Sequence, residues 1–163
     1  MSHPILVDRN RSILRVWGRD PVKMIHGLAT ADIETVSPER GVYTAFLTPK
    51  GRMVADARVF LWPRGAEKDE AGAEARGGAP GLLVGVDPRA AEDLKAHIRK
   101  FVPPLFARSE DRSDEWRVIG VYGVGADEAV AGLAGGGPDE PEAGAFAAAR
   151  AEESVVALGA RAG

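Results

Sequence analysis

Gly41–Leu61, GVYTAFLTPKGRMVADARVFL, is the stretch that decides how this chain folds. Tyr43, Phe46 and Leu47 favour a strand, and so do Met53, Val54, Val59, Phe60 and Leu61. Between the two runs, Thr48-Pro49-Lys50-Gly51 suits a type I turn, with proline fixing the second position and glycine closing the fourth. The stretch therefore predicts an antiparallel hairpin. Its second arm carries a lone carboxylate, Asp56, among apolar neighbours.

Working outward, Ile13 to Trp17 alternates as a strand does, and Gly18 ends it. Asp20-Pro21 opens a helix, with Asp able to cap and Pro preset for the first turn. Val22, Ile25 and Leu28 then follow at helical spacing. Thr30-Ala31-Asp32 closes that helix, and Asp32 fits a capping or turn role. Beyond the hairpin, 63–80 reads as a flexible polar loop between strands. Gly81 to Val86 is a short buried strand. Asp87-Pro88 starts a second helix whose core face carries Ala91, Leu94, Ile98 and Phe101, and Pro103-Pro104 stops it. Leu105 to Arg108 and Trp116 to Tyr122 read as strands, Ala126 to Leu133 as a third helix, 135–144 as another flexible loop, and Val155 to Leu158 as a last strand. Val16-Trp17-Gly18 with Gly27-Leu28 is echoed by Val121-Tyr122-Gly123 with Gly132-Leu133. The echo has two readings, a shared strand–glycine–helix junction or a pseudo-duplicated unit. Runs of adjacent strands separated by helices define an α+β fold: a mixed, largely antiparallel sheet with helices packed on one face.

A chain of 163 residues can form one domain with its own core. Its net charge of -3 argues against a dominant electrostatic grip on nucleic acid. It has no cysteine, which excludes a disulfide framework, a thiolate nucleophile and a Cys-ligated metal. No apolar run approaches the roughly 20 residues that cross a bilayer, and no secretory pattern opens the chain. The sequence-level expectation is a cytoplasmic protein.

Few residues carry chemistry. His3, His26 and His97 are widely spaced and form no metal pattern, so no metal site is expected; His26 and His97 read as helix-surface or edge residues. No phosphate loop and no nucleophile elbow is present. Asp56 stands apart. At a two-residue period it shares a face with Val54 and Arg58, while Ala55, Ala57 and Val59 share the other. A carboxylate beside apolar walls is costly unless paired or used. It is therefore ion-paired to Arg58 or Arg52, exposed at an edge, or a positioned acid, base or acceptor for a ligand N–H. Tyr43 reads as a core residue or as the wall of a ring pocket.

Taken together, LRVWGRDPVKMIHGLATADI (Leu14–Ile33) and GVYTAFLTPKGRMVAD (Gly41–Asp56) resemble the YgfZ/GcvT folate-binding family. The likeness continues through Leu82–Val86, the helix to Phe101, and Trp116 to Leu133. That family includes the T-protein aminomethyltransferase of glycine cleavage and the YgfZ-type proteins of iron–sulfur cluster maintenance and tRNA modification. The resemblance implies tetrahydrofolate or a folate derivative as cofactor. It places Asp56 at the acidic position that meets the pterin, Tyr43 at the pocket wall, and Leu83 and Gly85 on a strand approaching it.

Gly51-Arg52 and Ala55-Asp56 look more like the YgfZ branch than the T-protein. That branch carries a later cysteine motif that this chain lacks. The expectation is thus a single folate-binding-type domain over 1–163, the N-terminal part of a longer architecture, able to self-associate through the core surface left open. The implied function is folate binding in iron–sulfur cluster assembly or repair, with tRNA modification supported indirectly and iron–sulfur proteins as partners. The alternatives are a tetrahydrofolate-dependent aminomethyltransferase, with Asp56 catalytic, and a non-catalytic interaction module of the same fold.

Overall fold

Three layers are built around the hairpin. A computed structural model describes residues 5–37, 40–61, 81–114, 116–125, 147–151 and 154–160. The strands are β1 (Ile5–Asp8), β2 (Ser12–Trp17), β3 (Val42–Leu47), β4 (Met53–Leu61), β5 (Leu82–Val86), β6 (Arg108–Asp111), β7 (Trp116–Tyr122), β8 (Ala147–Ala151) and β9 (Ser154–Ala160); the helices are α1 (Pro21–His26) and α2 (Ala91–Phe101). One sheet runs β3-β4-β5-β2-β6 and a second runs β1-β7-β9-β8. Every pairing among the described residues is antiparallel. The α+β class with helices on one face holds, and the strands divide between two sheets. The loops expected over 63–80 and 135–144 and the helix expected over Ala126–Leu133 lie outside the described residues. So does the Gly132-Leu133 pair of the internal echo.

The hairpin forms as its turn residues dictate. The Gly51 N–H donates to the Thr48 carbonyl at 2.8 Å, and the Thr48 N–H donates to the Arg52 carbonyl at 2.8 Å. Gly51 takes φ +77°, a left-handed conformation that glycine adopts without steric cost. Just beyond the turn the register slips: Leu47 faces Met53, but Phe46 faces Ala55, so Val54 is one extra residue in β4. From there Ala45 faces Asp56 and Tyr43 faces Arg58.

The main core lies between the five-stranded sheet and the helices. Phe46, Leu14, Val16 and Val84 from the sheet meet Ile25 of α1 with Leu94 and Ile98 of α2, and all are essentially inaccessible. Removing the Phe46 ring would cost about 3–5 kcal/mol, the usual range for emptying such a site. Thr44, also buried, clasps the exit of α1: its Oγ1 accepts from the N–H groups of Thr30 and Ala31 at 3.1 Å each. Thr30 returns the bond through Oγ1, which accepts from the Ala45 N–H at 3.1 Å. Asp32 has the capping role read for it, accepting from the Glu34 N–H at 3.0 Å at the head of a short 3-10 turn.

Some local expectations are corrected. Asp20 makes no side-chain cap; its N–H is taken by the Phe106 carbonyl at 3.0 Å. Asp87 does cap, accepting from the Arg89 N–H at 2.9 Å. The strand read at Leu105–Arg108 begins only at Arg108, because the carbonyl of Pro103 accepts from the N–H groups of Phe106 and Ala107 and holds that stretch as a turn. Phe101 sits at the rim and not in the core. His97 is the reverse: it is buried against the Phe101 ring, with centroids 4.8 Å apart. His26 keeps its place at the helix edge, where its Nδ1 accepts from the Ile33 N–H at 3.3 Å.

Candidate functional site

The face of the five-stranded sheet turned away from the helices is covered by the second sheet. Ile13, Phe60 and Leu83 are buried on it, and Val118 of β7 is buried opposite. Near the β1 end the two sheets leave a cleft of about 180 Å³ between them. Tyr43, Asp56, Arg58, Phe60 and Gly85 line it from the first sheet, Val118 and Tyr122 from β7, and Arg9 and Arg11 from the β1–β2 loop. Such a volume is smaller than the ~300–1,000 Å³ that takes a whole drug-sized ligand, and suits a flat ring with the rest of the molecule outside.

The chemistry of the cleft follows from strand parity. Because Val54 is the extra residue, Asp56 and Arg58 emerge on the same face as Tyr43, a diagonal pair across the β3–β4 ladder. The Tyr43 hydroxyl donates to Asp56 Oδ2 at 2.9 Å. That bond is the main reason the phenol is held above its ordinary 10.0, with loss of hydration and the Asp56 charge adding to it. Asp56 is half-buried. Among the described residues it forms no ion pair, and its Oδ1 accepts no hydrogen bond. The Arg58 guanidinium lies 5.6 Å from the Tyr43 ring centre instead of pairing with Asp56.

The floor is Gly85, between Arg58 and Ile13 in the ladder. A Cβ added there would point at Val118, 3.6 Å from its Cγ2, so the glycine keeps the floor flat. At the far wall Tyr122 folds back over Gly120, where an added Cβ would come within 2.6 Å of the ring. The Arg9 guanidinium donates to the Tyr122 hydroxyl, and the Arg9 N–H donates to the Val118 carbonyl at 2.9 Å. Asn10, at φ +44°, turns the loop between the two arginines, its N–H donating to Asp8 Oδ1 at 2.9 Å.

Of the residues singled out from sequence, Tyr43, Asp56 and Gly85 come together in this cleft. Tyr43 is 58% exposed, so the core reading is replaced by the pocket-wall one. Leu83 is buried beside Phe60 in the ladder and does not line the cleft among the described residues. Sequence reading missed Arg9, Arg11 and Tyr122. Their place depends on β1 pairing with β7 across more than a hundred residues, and the only local hint is the Asn10 turn between two arginines. Among the described residues no group of three or more His, Asp or Glu side chains is placed to hold a metal, and no helix is long and apolar enough to cross a membrane.

The layering and the cleft define a class. The fold is that of the glycine cleavage system aminomethyltransferase T: the crystal structure of the Bartonella henselae protein superposes with a TM-score of 0.66 over 96% of this chain and 42% of that one, at 14% identity. No family model matches the chain. Its sequence is similar to iron–sulfur cluster assembly factor IBA57 homologs, which are named as mitochondrial. It is 32% identical over 117 residues to that of Mycosarcoma maydis, covering 68% of this chain and 27% of the relative. It is 33% identical over 93 residues to that of Pyricularia oryzae, covering 57% and 21%. The chain thus spans about a quarter or less of the length of these curated relatives. Sequence and fold likeness together support the GcvT/YgfZ-like grouping and do not single out the YgfZ branch.

Proposed function

We propose that this chain is a folate-binding protein of the YgfZ type that serves iron–sulfur cluster assembly or repair, with effects on tRNA modification following from that role. The observation that carries the reading is the free Oδ1 of Asp56 above the flat floor at Gly85. A reduced pterin presents ring N–H donors along one edge and a flat face. Asp56 can accept from such an edge with Oδ1 while Tyr43 holds Oδ2, and Phe60, Gly85 and Val118 offer a surface for the face. The residues present therefore fit the group. When bound, the folate would supply a carrier for one-carbon units; the chain's own residues orient its ring and shield one face of it from water.

The likeness to IBA57 homologs supports the cluster-assembly part of the reading. Residence in the cytoplasm, expected from sequence, is part of the proposal although those relatives are named mitochondrial; cell fractionation checks it. Self-association is a further part. Edge strand β1 exposes Ile5 and Leu6 at 65% and 56%, and a monomeric mass at high concentration would count against it.

The test is a calorimetric titration with tetrahydrofolate, comparing the chain with Asp56→Asn. A hydrogen bond to a charged acceptor contributes about 1.5–3 kcal/mol, so the variant should bind about 10- to 150-fold more weakly. Absence of binding by both proteins would leave only an interaction module. Turnover in a glycine-cleavage assay with lipoylated carrier protein would move the assignment to an aminomethyltransferase with Asp56 catalytic.

A further inference from the structure

We propose that the hollow between the exit of α1, the hairpin turn and α2 is a separate binding site, for a small phenolic carboxylic acid whose hydroxyl meets the His97 imidazole. It lies on the helix side of the five-stranded sheet, away from the cleft, and does not depend on the ring-binding reading above. Its volume of about 380 Å³ falls within the ~300–1,000 Å³ of small-molecule sites. Leu28 and Pro49 give it apolar wall, and Phe101, 39% exposed, stands at its rim.

The observation that points to a ligand is a polar atom without a partner. His97 lines the hollow and is only 7% exposed. Its Nε2 is shut off from water, and among the described residues nothing donates to it or accepts from it. A buried polar atom left in that state is costly and uncommon. The threonine hydroxyls that line the same hollow are committed to nearby backbone: Thr30 Oγ1 accepts from the Ala45 N–H and Thr48 Oγ1 from the Arg52 N–H, at 3.1 Å each. Burial holds the imidazole below its ordinary 6.5, so at neutral pH it carries no charge. A neutral imidazole has one N–H and one bare nitrogen, and a hydroxyl, which both donates and accepts, satisfies Nε2 in either tautomer. The Phe101 ring, centred 4.8 Å from the imidazole, is a partly exposed side chain that can swing outward to admit a flat ring beside it. Lys100, three residues beyond His97 on α2, holds its Nζ 5.4 Å from the Phe101 ring centre and forms no ion pair among the described residues. It is the partner for a carboxylate at the rim. Hydroxyl inside, ring against Phe101 and carboxylate outside together define the class of ligand.

The experiment is an NMR titration of the chain with 4-hydroxyphenylacetate, with phenylacetate, which lacks the hydroxyl, and with p-cresol, which lacks the carboxylate. The imidazole signals of His97 are assigned by their loss in His97→Leu. In wild type they should move on addition of 4-hydroxyphenylacetate. Phenylacetate should bind about 2- to 10-fold more weakly, the effect of one neutral hydrogen bond, and p-cresol about 2- to 5-fold more weakly, the effect of one exposed charge pair. His97→Leu should bring the first ratio close to one. Lys100→Gln, a surface change that leaves the core alone, should bring the second close to one. Binding of none of the three overturns the site and leaves His97 a core residue satisfied by a trapped water. Equal binding of phenylacetate and 4-hydroxyphenylacetate by wild type, or binding that leaves the His97 signals in place, overturns the role of the imidazole and the proposal with it. N-acetyltyrosinamide binding more tightly than the acid overturns the small-molecule assignment in favour of a tyrosine side chain from a partner protein.

Discussion

Gly85 is the position where the cleft can be narrowed without harming the fold, and substituting it separates the two. β5 is buried along its whole length, and Gly85 carries no left-handed φ that would exclude a side chain. A Cβ there would lie 3.6 Å from Ile13 Cδ1, 3.6 Å from Val118 Cγ2 and 3.8 Å from the Arg58 carbonyl oxygen, all ordinary contacts. Gly85→Ala therefore adds no clash. It reduces the freedom of the unfolded chain, which favours folding by about 0.4–1 kcal/mol, and it buries one methyl, which adds up to about 0.8 kcal/mol. Urea unfolding should show a protein as stable as the parent or more so by about 1 kcal/mol. The same methyl raises the floor on which the ring is seated. Crowding of this kind costs about 1–3 kcal/mol, so tetrahydrofolate should bind about 5- to 150-fold more weakly. A loss of more than about 1 kcal/mol of stability would show that β5 does not sit against β7 as described. A stable variant with undiminished affinity would show that the ring, if bound, rests elsewhere.

Three further outcomes are expected. In a Tyr122→Phe background, tyrosinate absorbance should place Tyr43 above 10.0, and Asp56→Asn should bring it back down, because the carboxylate is the main cause of the shift. The stability linked to this raised value is complete below 10.0 and lost as pH rises through the folded value; it is small because the ring is exposed. His97 is held below 6.5, chiefly by burial and against the Leu47 carbonyl, which favours the proton. The unfolded chain then takes up protons first on acidification, so the stability tied to His97 is full above 6.5 and falls as pH drops through the folded value; urea midpoints of His97→Gln should show a flatter acid limb. Gly18→Ala should be destabilised by about 2–4 kcal/mol in the same assay, since at φ +146° its Cβ would lie 2.6 Å from the Phe106 oxygen and 2.9 Å from Ala107 Cα, both backbone atoms.

Local chemistry was the legible part of the sequence. Pro49 and Gly51 mark the hairpin turn because only certain backbones close it, and the continuous apolar run at Leu82–Val86 marks a strand buried on both faces. Ala91, Leu94 and Ile98 give the inner stripe of α2. Long-range pairing was not legible. β1 is four exposed residues, defined by its ladder to β7 and not by any pattern of its own. β6, Arg-Ser-Glu-Asp, is an edge strand without apolar alternation, fixed by its ladder to β2. Asp56 could be singled out as an oddity on an apolar arm. That Tyr43 is its partner could not be read from the strand pattern, because counting back from the turn in perfect register would face Tyr43 with Ala57 and set it on the opposite side of the sheet from Asp56.

The bulge in β4 has a consequence for how this region can change. One surplus amino acid, Val54, decides which side chains of the ribbon look outward. Pairing it within the ladder would send Asp56 and Arg58 toward Leu94 and Ile98 and turn Ala57 and Val59 to the ligand side with the composition untouched, whereas deleting it would leave Phe46 facing Ala55 and Ala45 facing Asp56 as they are. The outward set therefore survives loss of this residue and depends, while it is present, on its staying outside the ladder. A variant shortened by that single codon should keep its fold and its outward carboxylate, whereas a bulky side chain at Ala55, buried in the core, should not be absorbed.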